Sequence, residues 1–118
     1  ELQFQLDGHF PEKLHMEDID FCVLLSNVVE NAREALERVK EKRLFQIEVK
    51  CYRQWFYLNV RNSAVDEMID FKHTSKQDKK VHGYGVQNMK RVVEKYHGSI
   101  QWNQRNGIVE VEIRLEVC

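Results

Sequence analysis

The sequence predicts a two-layer α/β sandwich, one sheet with helices packed on one of its faces. Two observations predict it. Apolar residues recur every three or four positions around 20–42 and 86–97, and alternate with polar ones in four other stretches, 45–51, 56–60, 100–102 and 109–117. Each stretch carries a single apolar stripe, and one sheet covered by two helices buries them all. With 118 residues, 42% hydrophobic content, a single proline and a net charge of −1, the chain is expected to form one domain with room for a two-layer core.

Residues 1–17 show no sustained period, and Phe10-Pro11 breaks any regular element there, so they are expected as a lead-in. Asp18 or Asp20 stands where a helix cap belongs. The first helix is then expected to run to about Lys42, burying Cys22, Leu25, Val29, Ala32 and Leu36. Inside it, Asn27 and Asn31 lie one turn apart and aim their carboxamides in one direction. Asparagine is a mediocre helix former, so the pair costs stability without helping packing. Its amide oxygen is a hard, neutral ligand suited to Mg²⁺, which commonly arrives with phosphates. The plain alternative is the polar edge of an amphipathic helix.

Phe45, Ile47, Val49 and Cys51 alternate with polar residues, as do Phe56, Leu58 and Val60, with a hairpin turn at Arg53-Gln54 between them. Val86, Met89, Val93 and Tyr96 mark a second helix. Lys95 and His97 occupy its last turn, and Gly98 is expected as the left-handed residue that ends it. Ile100 and Trp102 open another strand. The Asn106-Gly107 turn then leads into Val109, Val111, Ile113, Leu115 and Val117.

From Ser63 to His82 no period is sustained, apart from one short helical turn at Met68, Ile69 and Phe71. Loops of this length inside a domain are often lids. Lys72, His73, Thr74, Ser75, Lys76, Lys79, Lys80 and His82 supply cations and hydroxyls, and Gly83-Tyr84-Gly85 opens the second helix. Glycines there admit a ligand close to the backbone, and a helix N-terminus offers its free N–H groups to a phosphate. A solvated loop is the plain alternative for the lysines. The conjunction with the paired amides carries the nucleotide reading.

The near-neutral charge excludes a broad basic surface for nucleic acid. No apolar run reaches transmembrane length and no signal peptide is visible. Cys22, Cys51 and Cys118 form no metal motif. Cys22 and Cys51 are expected as small core residues in a reducing compartment. Opening at Glu1 without methionine, the chain is expected to be a piece of something longer.

Leu25-Ser26-Asn27-Val28-Val29-Glu30-Asn31-Ala32-Arg33-Glu34-Ala35 resembles the N-box of the GHKL ATP-binding superfamily, which includes sensor histidine kinases, type II topoisomerases and a heat-shock chaperone. His82-Gly83-Tyr84-Gly85-Val86-Gln87-Asn88-Met89, with Val92 to Gly98 after it, resembles the second glycine box of sensor histidine kinases. Thr74-Ser75-Lys76 together with His82-Gly83-Tyr84-Gly85 is most similar to the peptide-pheromone, accessory-gene-regulator-like branch. The resemblance covers residues 18–117. It implies the Bergerat fold, with a mixed, mostly antiparallel sheet, helices on one face and a flexible lid at 63–82 over ATP and Mg²⁺.

Carried over by position, the resemblance makes Asn31 the Mg²⁺ ligand and sets Gly83 and Gly85 on the phosphate side. Thr74, Ser75, Lys76, His82, Tyr84 and Val86 join the nucleotide-binding set. Asn27 falls where ATP-hydrolysing branches carry a glutamate base, a role a neutral amide cannot fill. Asn62 falls where most members have the aspartate that binds adenine, and the usual DxGxG is replaced by Asn62-Ser63-Ala64-Val65-Asp66. Because an asparagine accepts or donates by flipping, a carboxylate at position 62 is expected to raise the preference for ATP over GTP. Glu34 replaces a common lysine, leaving Arg33, Lys76 or His82 to supply charge to the phosphates.

None of His9, His15, His73, His82 and His97 suits a phospho-acceptor. The resemblance therefore implies a histidine on a separate dimerisation domain of the same parent protein and a response regulator downstream. It implies no nucleic acid and no direct membrane contact. The domain is expected to be cytoplasmic, its parent anchored in a bacterial membrane. Two alternatives stand beside this reading: a degenerate Bergerat domain serving as an interaction module, and an anti-sigma-factor serine kinase.

Overall fold

A computed structural model of the chain describes residues 1–65 and 85–118. Its elements are β1 (Leu2–Asp7), α1 (Asp18–Glu37), β2 (Arg43–Tyr52), β3 (Trp55–Ser63), α2 (Gly85–Lys95), β4 (Ser99–Arg105) and β5 (Ile108–Leu115). The strands form one sheet in the order β1-β2-β3-β5-β4. Only β1 and β2 run parallel; the other pairs are antiparallel. Both helices pack on the same face, giving the expected sandwich.

The strand β1 is an addition to the sequence reading, which left 1–17 without a regular element. Leu2, Phe4 and Leu6 do alternate with Gln3, Gln5 and Asp7, but all six residues are exposed. Pairing along β2 brings the element into the sheet. Phe4 lies opposite Phe45, and their rings meet edge to face with centroids 5.5 Å apart.

The core lies between the central strands and the helices. Phe56, Leu58 and Val60 of β3 and Val111, Ile113 and Leu115 of β5 meet Leu24 and Val28 of α1 and Met89, Val92 and Val93 of α2. On α1 the buried row is Leu24, Val28, Ala32 and Leu36. This corrects the expected face: Cys22 is exposed and Val29 is 40% exposed. The two rows share Ala32 and Leu36, and the one containing Leu24 and Val28 meets the sheet. The helix also stops at Glu37 rather than near Lys42, with the Arg38 N–H bonded back to the Ala35 carbonyl and the Val39 N–H to that of Leu36. Lys42 turns into β2 with a φ of 55°.

The cap of α1 differs as well. Glu17 holds the N-cap position without a side-chain bond, while Asp18 and Asp20 lie in the first turn. Asp20 instead joins the two helices. It accepts hydrogen bonds from Tyr96 Oη at 2.5 Å and Lys95 Nζ at 2.8 Å, and the Tyr96 oxygen accepts the Glu17 N–H at 3.0 Å.

At the end of α2, His97 adopts the left-handed conformation (φ 57°) assigned above to Gly98. The Gly98 N–H reaches the Val93 carbonyl at 2.9 Å and the His97 N–H the Glu94 carbonyl at 3.2 Å, a Schellman closure. Gly98 is needed for another reason. A Cβ there would lie 2.0 Å from the Arg114 carbonyl oxygen.

The expected hairpins at Arg53-Gln54 and Asn106-Gly107 are present. After β5 the tail returns past the first of them. The Val117 carbonyl accepts the His15 N–H at 2.7 Å, and the Cys118 N–H donates to the Gln54 carbonyl at 2.9 Å. Cys51 and Cys118 are joined in a disulfide with Cα atoms 6.0 Å apart. That corrects the reading of Cys51 as a core thiol, since it lies exposed at the sheet rim where the tail passes. Cys22 is the free cysteine, on the surface.

The helix clamp makes stability depend on acid. The Lys95 hydrogen bond, then that of Tyr96, holds the Asp20 carboxyl below its ordinary value of 3.8. Its contribution is therefore complete above that value and is lost as pH falls through the lower folded value. Asp20→Asn is expected to lower Tm at neutral pH, and the gap from the wild type to close progressively below pH 3.8. Thermal unfolding followed by circular dichroism across that range measures it.

Candidate functional site

The amides of α1, the exit of β3 and the start of α2 define one corner of the sandwich. With Leu24, Val28, Ala32 and Leu36 turned to the sheet, Asn27 is carried on the flank of α1 that meets α2. Asn27 Nδ2 donates to the Val23 carbonyl one turn earlier, at 2.7 Å. Only the NH₂ end donates to a carbonyl, so this bond leaves Oδ1 pointing the other way. That oxygen stands against Gly85, where a Cβ would lie 2.8 Å from it. Asn31 follows one turn later, half-buried, and its carboxamide forms no hydrogen bond among the described residues.

From the sheet side comes Asn62. It continues the Phe56, Leu58, Val60 series, so its side chain shares the helix-facing surface, and it is only 5% exposed. Its Nδ2 donates to the Ser63 carbonyl at 3.0 Å. The sequence left both orientations of this amide open, and the hydrogen bond selects one, with Oδ1 the end turned away from Ser63.

Neighbouring contacts hold the exit of β3 in place. Ser63, expected to begin the loop, is the last residue of the strand. Its hydroxyl accepts the Leu44 N–H at 2.8 Å and donates to the Lys42 carbonyl at 2.6 Å, tying β3 to the start of β2. The Ala64 N–H donates to the Gly107 carbonyl at 2.8 Å, and Gln104 Nε2 to the Val65 carbonyl at 3.1 Å.

The third side is the beginning of α2. Gly85, Val86, Gln87 and Asn88 form a first turn without a carboxylate, so no side chain there neutralises the positive end of the helix dipole. Val86 is half-buried against the core. Arg33, one of the cations considered for the phosphates, is engaged elsewhere. Its guanidinium pairs with Glu30 and Glu37 on the exposed side of α1, and the Glu30 hydrogen bond is the main cause of its raised pKa.

The structure thus brings Asn27 and Gly85 together and sets Asn31, Asn62 and Val86 on the elements around them. Thr74, Ser75, Lys76, His82, Gly83 and Tyr84 lie outside the described residues, as does the expected lid beyond Val65. Sequence reasoning missed Ser63, whose hydroxyl bridges two strands. A serine after a strand carries no signal for a partner 21 positions earlier. No three His, Cys, Asp or Glu side chains among the described residues cluster to hold a metal. Mg²⁺ commonly keeps several waters and takes one or two protein ligands plus phosphate oxygens. The half-buried Asn31 amide, without a hydrogen bond to the described residues, has the chemistry of such a ligand.

The sheet order, with two helices on one face and Asn27 of the first set against Gly85 of the second, defines one class of α/β sandwich. The chain belongs to the GHKL domain family, whose pattern it matches over residues 16–116. No curated protein matches the sequence significantly. Solved structures share the fold. The catalytic domain of histidine kinase ThkA, nucleotide free, superposes with a TM-score of 0.74 at 18% identity, covering 98% of this chain and 78% of that one. A histidine kinase domain from the blue-light activated kinase of Erythrobacter litoralis gives 0.71 at 9% identity, covering 98% and 51%. Full-length ShkA in complex with AMPPNP gives 0.73 at 14% identity, covering 100% of this chain and 26% of that one. The chain therefore spans about half or less of the last two. No helix among the described residues is long and apolar enough to cross a membrane.

The Asn62 orientation changes what a carboxylate there should do. In Asn62→Asp, an acceptor replaces the NH₂ that faces the Ser63 carbonyl, in a buried place. Losing that donor is expected to destabilise the fold by about 1–3 kcal/mol. To donate, the new carboxyl must keep its proton, so its folded pKa is raised and the loss grows as pH rises. Urea denaturation at pH 5 and pH 8 tests this. Unchanged stability at both would mean that the amide is not held by Ser63.

Proposed function

We propose that this chain is the catalytic, ATP-binding domain of a sensor histidine kinase of the peptide-pheromone branch, and that it binds Mg-ATP for phosphoryl transfer to a histidine on another domain of its parent. The observation that carries this reading is the approach of Asn27 on α1 to Gly85, where a Cβ would lie 2.8 Å from the Asn27 oxygen, beside a helix start with no carboxylate in its first turn and the buried Asn62 amide. In this reading Asn31 Oδ1 takes a place in the Mg²⁺ shell, the first turn of α2 faces the phosphates, and Asn62 Oδ1 accepts the adenine amino group. ATP supplies the phosphoryl group. No base stands at Asn27: a carboxamide does not take a proton from water, and its NH₂ already serves Val23. That supports a domain that keeps ATP intact until an acceptor arrives.

Membership of the GHKL family and the AMPPNP complex of the similar ShkA support nucleotide binding. The branch assignment rests on the residues at 74–76 and 82–85. The parent protein, its membrane anchor, the response regulator and a lid over residues 63–82 belong to the same proposal. The loss of DxGxG favours a second reading, an interaction module without nucleotide.

Asn31→Ala separates the two readings. If its amide completes the Mg²⁺ shell, the substitution is expected to weaken ATP-analogue binding roughly tenfold or more in Mg²⁺, the value of one charge-assisted bond, and much less in EDTA. Isothermal titration in both conditions reads it. Equal losses would make Asn31 structural, and no binding in either condition by the wild type would favour the interaction module.

A further inference from the structure

The Asn27 carboxamide is held at its NH₂ end. Its Nδ2 is spent on the Val23 carbonyl at 2.7 Å, which turns Oδ1 toward the first residue of α2. A Cβ placed on Gly85 would lie 2.8 Å from that oxygen and 3.5 Å from Asn27 Cγ, and apart from its chain neighbours and the backbone of α2 itself no other described atom comes within 4 Å of it. Among the described residues outside α2, one side chain therefore sets the space at position 85. To make room the oxygen must move by several tenths of an ångström, which strains the bond to Val23.

We propose that Asn27 is a positioning residue for the phosphate side of the site: it seats the start of α2, and residue 85 lacks a side chain because Asn27 occupies its place. This rests on the nucleotide reading above and goes beyond it, since Asn27 acts on α2 and not on the ligand. Chemistry suits the role. The oxygen of a neutral amide lies near the positive end of α2 without cancelling it, whereas a carboxylate would compete with a phosphate for the same charge. The N–H groups of the first turn then stand where this contact puts them. Displacing the turn is expected to weaken recognition of phosphates more than recognition of the base.

The test is a double-mutant cycle on Asn27 and Gly85, read by competition of AMP-PNP and of adenosine against a fluorescent ATP analogue in Mg²⁺. Alanine is the better helix former, so a loss in Gly85→Ala does not come from helix propensity, and the double variant separates a clash with Asn27 from one with the ligand. Gly85→Ala is expected to weaken AMP-PNP by about tenfold and leave adenosine nearly unchanged; Asn27→Ala, which empties the space, is expected to restore most of that loss in the double variant. Additive losses in the double variant, or equal losses for adenosine and AMP-PNP, overturn the positioning role while leaving nucleotide binding in place. A wild-type chain that does not bind AMP-PNP overturns the nucleotide reading itself, and the positioning role with it.

Discussion

The rotation of α1 about its own axis is the constraint on which the rest of the site depends. Leu24, Val28, Ala32 and Leu36 lie on the sheet at 0–4% exposure, and that row fixes the helix. Successive residues on a helix are about 100° apart, so one buried row determines every other direction. Asn27 then meets the start of α2, Asn31 lies one turn further along, and Asp20 reaches Tyr96 and Lys95 at the far end. Were the Cys22, Leu25, Val29 row buried instead, the asparagines would leave the helix interface. Core packing thus aims the polar residues.

The sheet supplies the opposing wall by a different device. At the exit of β3 the strand is held on both sides, to β2 through the Ser63 hydroxyl and to the β4–β5 turn through Ala64 and Val65. Asn62 sits inside this frame with its amide locked on the neighbouring carbonyl. A buried donor without an acceptor is costly, so the frame determines which end of the amide faces the helices. On the sheet side the wall therefore turns the Asn62 oxygen away from the Ser63 carbonyl.

Much of this was legible in the sequence, and the exceptions have physical causes. The four alternations, both helices and both hairpin turns follow from periodicity and turn chemistry, which are local. The phase of α1 was not legible, because two apolar rows share Ala32 and Leu36 and differ little in hydrophobicity. Strand β1 is exposed at every residue and owes its place to β2. The disulfide joins cysteines 67 positions apart, and Asp20 finds Tyr96 across 76, separations at which a single sequence gives no signal. Gly98 was assigned the left-handed conformation at a helix end, yet it is glycine because the chain passes the backbone of β5, while His97 takes the strained conformation. At the candidate site, the asparagine pair and Gly85 were singled out by residue type and spacing. Their contact, and the orientation of Asn62, required the fold.

The claim at the centre is that the corner between the α1 asparagines, the exit of β3 and the start of α2 receives Mg-nucleotide. Titrating the ¹⁵N-labelled chain with Mg²⁺ and AMP-PNP, and following backbone and asparagine side-chain amide resonances, tests it most directly. The account predicts shifts concentrated on Asn31, Asn62, Gly85 and Val86, with the Glu17, Asp20 and Tyr96 end of the sandwich unmoved. Shifts confined to β1 or to the open face of the sheet, or none at saturating nucleotide, would contradict it.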